Sequence, residues 1–446
     1  MAASVFTSTE LTNAQVQELS DVYKLYQNET DVWGWFMALP DDQINASGLK
    51  VPFQISPNPS LAQGTGNGDA FATAQAGNYD NFNVTYTFLN QGNNLAYASF
   101  LNRNSNTAED MIRYEQRTSA EQFASFLNCY ASRGDGTAAL ATVSTSYSGG
   151  SPTVAVCNGS TDSIGPTQVV TGQYVKVYDA TGATQRTGTV GAGAIQVASK
   201  TTANIIGATN WPSDMVSTDI IVPEIGTTDA TGALYGLPII DDAAGTYYGK
   251  ARSSYPGLAS YEKTSAGTVT AGMLAETYFS TVQRGGYFTG SGTTNLLDMC
   301  WLICNTGNLQ MYYSLSLSSG AVVGSPYTFQ HVGDKRPSGD IGMQNMNFTW
   351  FGAPIKVGNA IRGDEIYYAN PKVIRKAILK NVGEISAAMP ANQLLQAING
   401  DGQYLTSALR YLDFWGSLYS PEPYKLGKIS GVTLTSPTQK ATQVFS

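Results

Sequence analysis

The stretch NTAEDMIRYEQRTSAEQFASFLNCYASRGDGT, residues 106–137, decides how the rest of the chain is read. Asn106 stands at a helix N-cap position, Glu109 follows three residues later as in a capping box, and Gly134 stands where a helix ends. The spacing predicts one helix from Thr107 to Arg133, about 40 Å long at roughly 1.5 Å per residue. Ala108, Met111, Ile112, Phe123, Phe126, Leu127 and Tyr130 are its apolar positions, with Glu115, Thr118, Ser119 and Gln122 on the same face between them. Such a helix buries its two ends better than its centre. Glu109 with Arg113, and Arg117 with Glu121, fall at i,i+4 and support it by about 0.2–0.5 kcal/mol each.

Upstream, Val16, Leu19, Val22, Tyr23 and Tyr26 have helical spacing, which predicts a short amphipathic arm over Asn13–Tyr26. After Trp33-Gly34-Trp35-Phe36, the segment Pro40 to Gly77 carries Pro52, Pro57, Pro59 and the cluster Gly64, Gly66 and Gly68. That composition predicts an extended excursion outside the core. Downstream, Pro152 to Pro223 breaks into short β runs, among them Tyr174–Tyr178, a turn at Asp179–Gly182, and Ile220–Val222.

Further along, the pattern predicts a helix over Val269–Val282, a buried strand over Asn295–Cys304, and strands within Phe348–Val357 and over Glu365–Tyr368. Leu309–Leu317 reads equally as helix or strand. A second capped helix is expected after Asn370, with Pro371 at its first position, Val373, Ile374, Ala377 and Ile378 on one face, and Gly383 past its end. The mixture is α+β with segregated elements and no βαβ alternation.

With 446 residues and 42% hydrophobic, the chain can build two or three compact units. Only 13% of residues are charged, against about 25% in an ordinary soluble domain. A neutral, polar surface with 26 Tyr suits a subunit packed against copies of itself, because interface cores lose charge and gain aromatics. A net charge of −8 and the lack of any Lys/Arg run argue against tight binding to nucleic-acid phosphates. Met1–Phe6 does not read as a secretion signal, and no apolar stretch approaches the 18 residues or so of a membrane span. Cysteines at 129, 157, 300 and 304 are sparse for a disulfide scaffold, so free thiols and cytoplasmic synthesis are expected.

Chemistry-bearing patterns are weak. His331 is the sole histidine, a poor basis for nucleophile-and-base catalysis. The common hydrolase, nucleotide and zinc-protease signatures are missing. Cys300 and Cys304 in a strand lie about 13 Å apart, too far for a disulfide or a common metal. Asp41-Asp42 and Asp241-Asp242 read as turn residues without a third ligand. Arg133-Gly134-Asp135 and Arg362-Gly363-Asp364 read as a helix end and a hairpin turn rather than as integrin ligands. The sequons at Asn28, Asn83 and Asn347 matter only after secretion. No catalytic, cofactor-binding or metal-ligating residue is therefore assigned.

Three stretches carry a family resemblance: Arg133-Gly134-Asp135-Gly136-Thr137 after the long helix, Gly236-Leu237-Pro238-Ile239-Ile240-Asp241 before Gly249-Lys250-Ala251-Arg252-Ser253, and Phe351-Gly352-Ala353-Pro354-Ile355 before Asp364-Glu365-Ile366-Tyr367-Tyr368. Their order, with arm, excursion and long helix, resembles the major capsid proteins of tailed bacteriophages with the Hong Kong 97-like fold. The resemblance implies an N-terminal arm (1–39), an extended loop (40–100), a peripheral domain with a spine helix (101–150), a β-rich insertion (151–229), more peripheral domain (230–294), an axial domain (295–410) and a C-terminal peripheral segment (411–446). It implies a structural protein, not an enzyme, that forms hexamers and pentamers of an icosahedral virion shell. Its partners would be itself, scaffolding, portal and cement proteins, and double-stranded DNA held by confinement, with no membrane. The residues also admit an extracellular or phage-tail carbohydrate-binding protein, or a glycan-cleaving enzyme built on two carboxylates.

Overall fold

The computed structural model describes residues 31–38, 48–56, 76–96, 121–144, 154–156, 169, 171–188, 193–202, 205–208, 211–224, 231–264, 267–284, 301–305, 307–312, 327–331, 346–350, 353–358, 360–384, 395–398 and 404–433. The arm helix at Asn13–Tyr26, the first half of the long helix, Asp41-Asp42, Cys157 and Cys300 lie outside the described residues.

One strand organises the first sheet. Tyr404–Tyr419 is 16 residues long, about 50 Å at roughly 3.3 Å per residue. Along one edge it pairs antiparallel with Thr87–Ala96. Its other edge is shared by Arg375–Glu384 and Leu395–Ile398, and Met37–Ala38 adds parallel to Arg375–Lys376. Side chains alternate faces along a strand. Leu412, Phe414 and Leu418 are buried accordingly, whereas Trp415 is exposed. The helix over 121–133 supplies Phe123, Leu127, Tyr130 and Ala131 to the same core as Leu412 and Phe414, and it ends at Gly134 as the sequence predicts.

The second sheet has seven strands in the order Tyr261–Thr264, Gly427–Ser430, Glu365–Ala369, Trp301–Cys304, Ala353–Val357, Met346–Trp350, Tyr327–His331. It draws strands from three of the segments delimited by sequence. The helix Ala271–Gln283, capped by the Thr270 side chain, backs it with Leu274, Thr277, Tyr278 and Thr281. Thr277 and Thr281 each donate to the carbonyl four residues back, so their hydroxyls are satisfied inside the helix. Strand and helix meet at Gly427, where an added Cβ would lie 2.1 Å from Thr281 Oγ1.

Five strands within Pro152–Pro223 lie in one six-stranded antiparallel sheet. Asp179 Oδ1 closes the expected turn by accepting from the Thr181 hydroxyl and the Ala183 and Thr184 amides, and Gly182 supplies φ +74°. The sheet also includes Ala141–Thr142. Of Leu309–Leu317, only residues 309–312 lie within the described residues, and they belong to a helix over residues 307–312.

Two expectations are corrected. The segment after Asn370 is not a helix: Arg375–Glu384 is a strand. Asn370 does accept from the amides of Lys372 and Val373, but this closes a single turn, and the neighbouring long strand then offers a backbone ladder that outweighs local helix propensity. The Pro40–Gly77 excursion is also not wholly outside the core. Leu49–Ser56 pairs with Asn78–Val84 as a hairpin, and Leu49, Val51, Phe53, Phe82 and Val84 are buried in the main core. The alternation Leu49-Lys50-Val51-Pro52-Phe53 signals this strand.

Two close approaches set tests of packing. Gly427→Ala should lower stability by about 1–3 kcal/mol through overpacking, measured as a lower urea midpoint, and Thr281→Ala in the same chain should recover most of it. Gly236→Ala should cost at least as much, because a Cβ there would sit 2.4 Å from the Tyr130 carbonyl and 2.7 Å from the Gly134 amide; an unchanged midpoint would contradict this packing.

Candidate assembly surface

The site is built on the segment 234–260, which meets the helix end, the hairpin and both sheets. The Gly134 amide donates to Tyr130 O at 2.7 Å, and the Gly236 amide donates to Gly134 O at 2.9 Å. Backbone therefore touches backbone, which only glycine permits. This close approach explains Gly134 in the first Arg-Gly-Asp triplet. Arg133 is buried and Asp135 exposed, with Asp135 tied to Thr137. The second triplet forms a turn between Ala353–Val357 and Glu365–Ala369, strands that flank Trp301–Cys304 instead of pairing with each other. The fold brings the triplets together: Glu365 lies within electrostatic reach of Arg133 and Arg362.

A polar knot braces this segment. Arg252 donates to the carbonyls of Leu258 (2.8 Å), Ala244 (2.7 Å) and Ile239, and its guanidinium lies over the Tyr247 ring. Asp242 sits 3.7 Å from Arg252 and 3.9 Å from Lys428, which also faces Glu262 at 3.7 Å. Asp241 is fully buried, with the Ser260 hydroxyl beside its carboxyl and no ion pair of its own among the described residues. Burial pushes its carboxyl well above the ordinary range, against the pull of Lys428, the Ser260 hydroxyl and Arg252. The Asp241-Asp242 pair is thus split between core and knot, not two ligands of one ion.

An aromatic clamp holds the hairpin root. Phe53 meets Tyr255 edge-on at 5.4 Å, Phe82 meets Tyr247 at 5.2 Å and stacks on Tyr248 at 5.7 Å, and Asp80 pairs with Lys250 at 2.6 Å. The hairpin strands pair only with each other among the described residues. Ile55 and Tyr79 remain exposed, Tyr79 to 65%. On the long sheet, Phe88 and Trp415 are cross-strand neighbours with rings 4.8 Å apart, both exposed. Their surroundings are electrically neutralised by Lys380, which pairs with Asp413 at 2.5 Å. These two surfaces escaped the sequence reading, because exposure on a strand face depends on what covers it.

The remaining candidates fall on separate elements of the fold. Cys304 is buried and free, and burial pushes its thiol up to about 12; Cys129 is buried, free and raised by the same cause. His331 lies in an edge strand paired with Met346, and Asn347 lies in the neighbouring strand, while Asn83 lies in the hairpin. Among the described residues no group of three or more His, Cys, Asp or Glu could hold a metal. No helix among them is long and apolar enough to cross a membrane.

No protein-family model matches the chain, and no curated protein does. Solved structures similar to it are phage capsid and encapsulin structures. A cyanophage A-1(L) capsid asymmetric unit shares 11% identity over 89% of this chain and 91% of its own, with a TM-score of 0.46. The capsid of an empty GTA particle shares 6% over 91% and 90%, at 0.43. An encapsulin complex from Synechococcus elongatus shares 10% over 90% and 86%, at 0.41.

Asp241 gives the knot a pH dependence. Its folded value is raised above the unfolded one, so its contribution is fully present below about pH 4 and is lost as pH rises through the raised value. Asp241→Asn is neutral at every pH. Its unfolding midpoint should exceed that of the unaltered chain at about pH 8 and converge with it on acidification; a lower midpoint at the alkaline end would show that the ionised carboxylate supports the fold.

Proposed function

We propose that the chain is a structural subunit of an icosahedral shell, a major capsid protein of the Hong Kong 97 type, whose chemistry is association rather than catalysis. One observation carries this reading: a hairpin anchored by its root, with Ile55 and Tyr79 left exposed, and an uncovered aromatic pair at Phe88 and Trp415. The hairpin of one copy lying across the long sheet of the next buries both surfaces, and interface cores are charge-poor and aromatic in this way. Such a contact is head-to-tail, so it closes into rings when the rotation allows, and hexamers and pentamers follow. Scaffolding, portal and cement proteins are further partners. A chain of net charge −8 holds double-stranded DNA by confinement, and its place is the virion after synthesis in the host cytoplasm.

Negative-stain electron microscopy with size-exclusion chromatography, on protein expressed alone and with its neighbouring genes, should show closed shells or rings of five and six subunits. Tyr79→Asp and Trp415→Asp should each leave the subunit folded by circular dichroism and shift it to monomer. A persistent monomer or simple trimer of the unaltered chain under both conditions sinks the reading. The Phe88–Trp415 pair also suits stacking on a sugar ring, which favours a carbohydrate-binding protein as the second reading. A monomer that binds a glycan array and loses that binding on Trp415→Ala would establish it.

A further inference from the structure

The hairpin Leu49–Ser56/Asn78–Val84 is joined to the body at points that permit rotation. Gly48 precedes it with φ +111°, and Thr85-Tyr86, between it and the strand Thr87–Ala96, belongs to no strand. An isolated two-stranded hairpin is marginal on its own, so its direction is set by the side chains at its root. Those partners, Tyr247, Tyr248, Lys250 and Tyr255, all lie within nine residues of one another in sequence.

Within that segment Thr246–Tyr247 pairs with Lys250–Ala251, leaving Tyr248-Gly249 as a two-residue turn. Both have positive φ, +45° and +79°, as the type I′ turn requires. The first position of such a turn favours Asn, Asp or Gly, and an aromatic residue there is strained. Tyr248 is held by two sets of contacts. Its hydroxyl donates to Leu418 O at 2.5 Å and lies 2.8 Å from Ser417 Oγ on the long strand. Its ring stacks on Phe82 of the hairpin at 11° and meets Tyr235 at 4.6 Å.

We propose that Tyr248 is a sprung latch: its contacts to the long strand hold a strained turn and thereby fix the hairpin in a docked direction, and their release lets the hairpin swing about Gly48 and Thr85-Tyr86. The proposal rests on the shell-subunit reading, for which hairpin direction decides whether neighbouring copies meet. Ser417, which the latch grips, lies two residues along the same strand from Trp415. The docked position therefore ties the hairpin, through Tyr248, to the strand that carries Trp415.

Tyr248→Asn separates the latch from the turn, because Asn suits the turn position yet lacks the ring and the phenol. Hydroxyl-radical footprinting of the full chain should show oxidation of Phe53 and Phe82 rising severalfold in Tyr248→Asn, with Tyr248→Phe intermediate and Tyr367 unchanged. A footprint of Phe53 and Phe82 equal to that of the unaltered chain overturns the latch. So does a parallel rise at Tyr367, which would make Tyr248 an ordinary contributor to global stability. Shell formation is read separately by electron microscopy: an unaltered footprint in a chain that still forms shells removes the latch and leaves the shell reading, whereas an unaltered chain that never assembles removes the shell reading alone.

Discussion

The structure depends on a wedge of aromatic residues driven between its two main sheets. Trp33 meets Phe414 of the five-stranded sheet edge-on at 5.4 Å, and Trp35 meets Trp301 of the seven-stranded sheet edge-on at 6.4 Å. A lysine lies over a ring at each contact, Lys376 over Trp33 and Lys356 over Trp301. Lys376 also donates to the Trp33 carbonyl, and burial holds its ammonium down at about 8. Edge-on pairs contribute about 0.5–1.5 kcal/mol each beyond the area they bury, and cation–π contacts add to this as they lose water. Past Phe36, Met37 and Ala38 then join the edge of the long sheet.

With the sheets held, the segment 234–260 fills the angle between helix end, hairpin and long strand. It contains little regular structure, so its carbonyls need partners from side chains. Arg252 supplies three such bonds from one buried guanidinium, and Tyr247 bridges both the amide and the carbonyl of Ser420. Buried charge is costly unless it is so fully engaged. Asp241, buried beside it without an ion pair among the described residues, is the exception, and a carboxyl in that setting favours its proton.

The same economy of charge appears outside. A surface poor in Lys, Arg, Asp and Glu does not repel its own copies, and exposed rings on a strand face give flat, rigid contact area at small entropic cost. The hairpin exposes Tyr79 and the long sheet exposes Phe88 and Trp415.

Local signals determined much of this in the sequence. Glycine placed the end of the 121–133 helix, the apolar pattern placed the Val269–Val282 helix, and turn chemistry placed Asp179–Gly182, since each rests on contacts within a few residues. The order of motifs pointed to a shell protein through resemblance. Other features only the tertiary structure decided. Asn370 carries a sound cap, yet Arg375–Glu384 is a strand, because a ladder with a strand some thirty residues later wins over the local preference. Gly134 and Gly236 read as punctuation, but their role is a backbone contact between segments a hundred residues apart. Pro and Gly marked the excursion as loop, while the alternation at its root was a core strand. Whether Trp415 is exposed and Phe414 buried depends on which face the helix and wedge cover, and that is fixed by packing between elements distant in the chain.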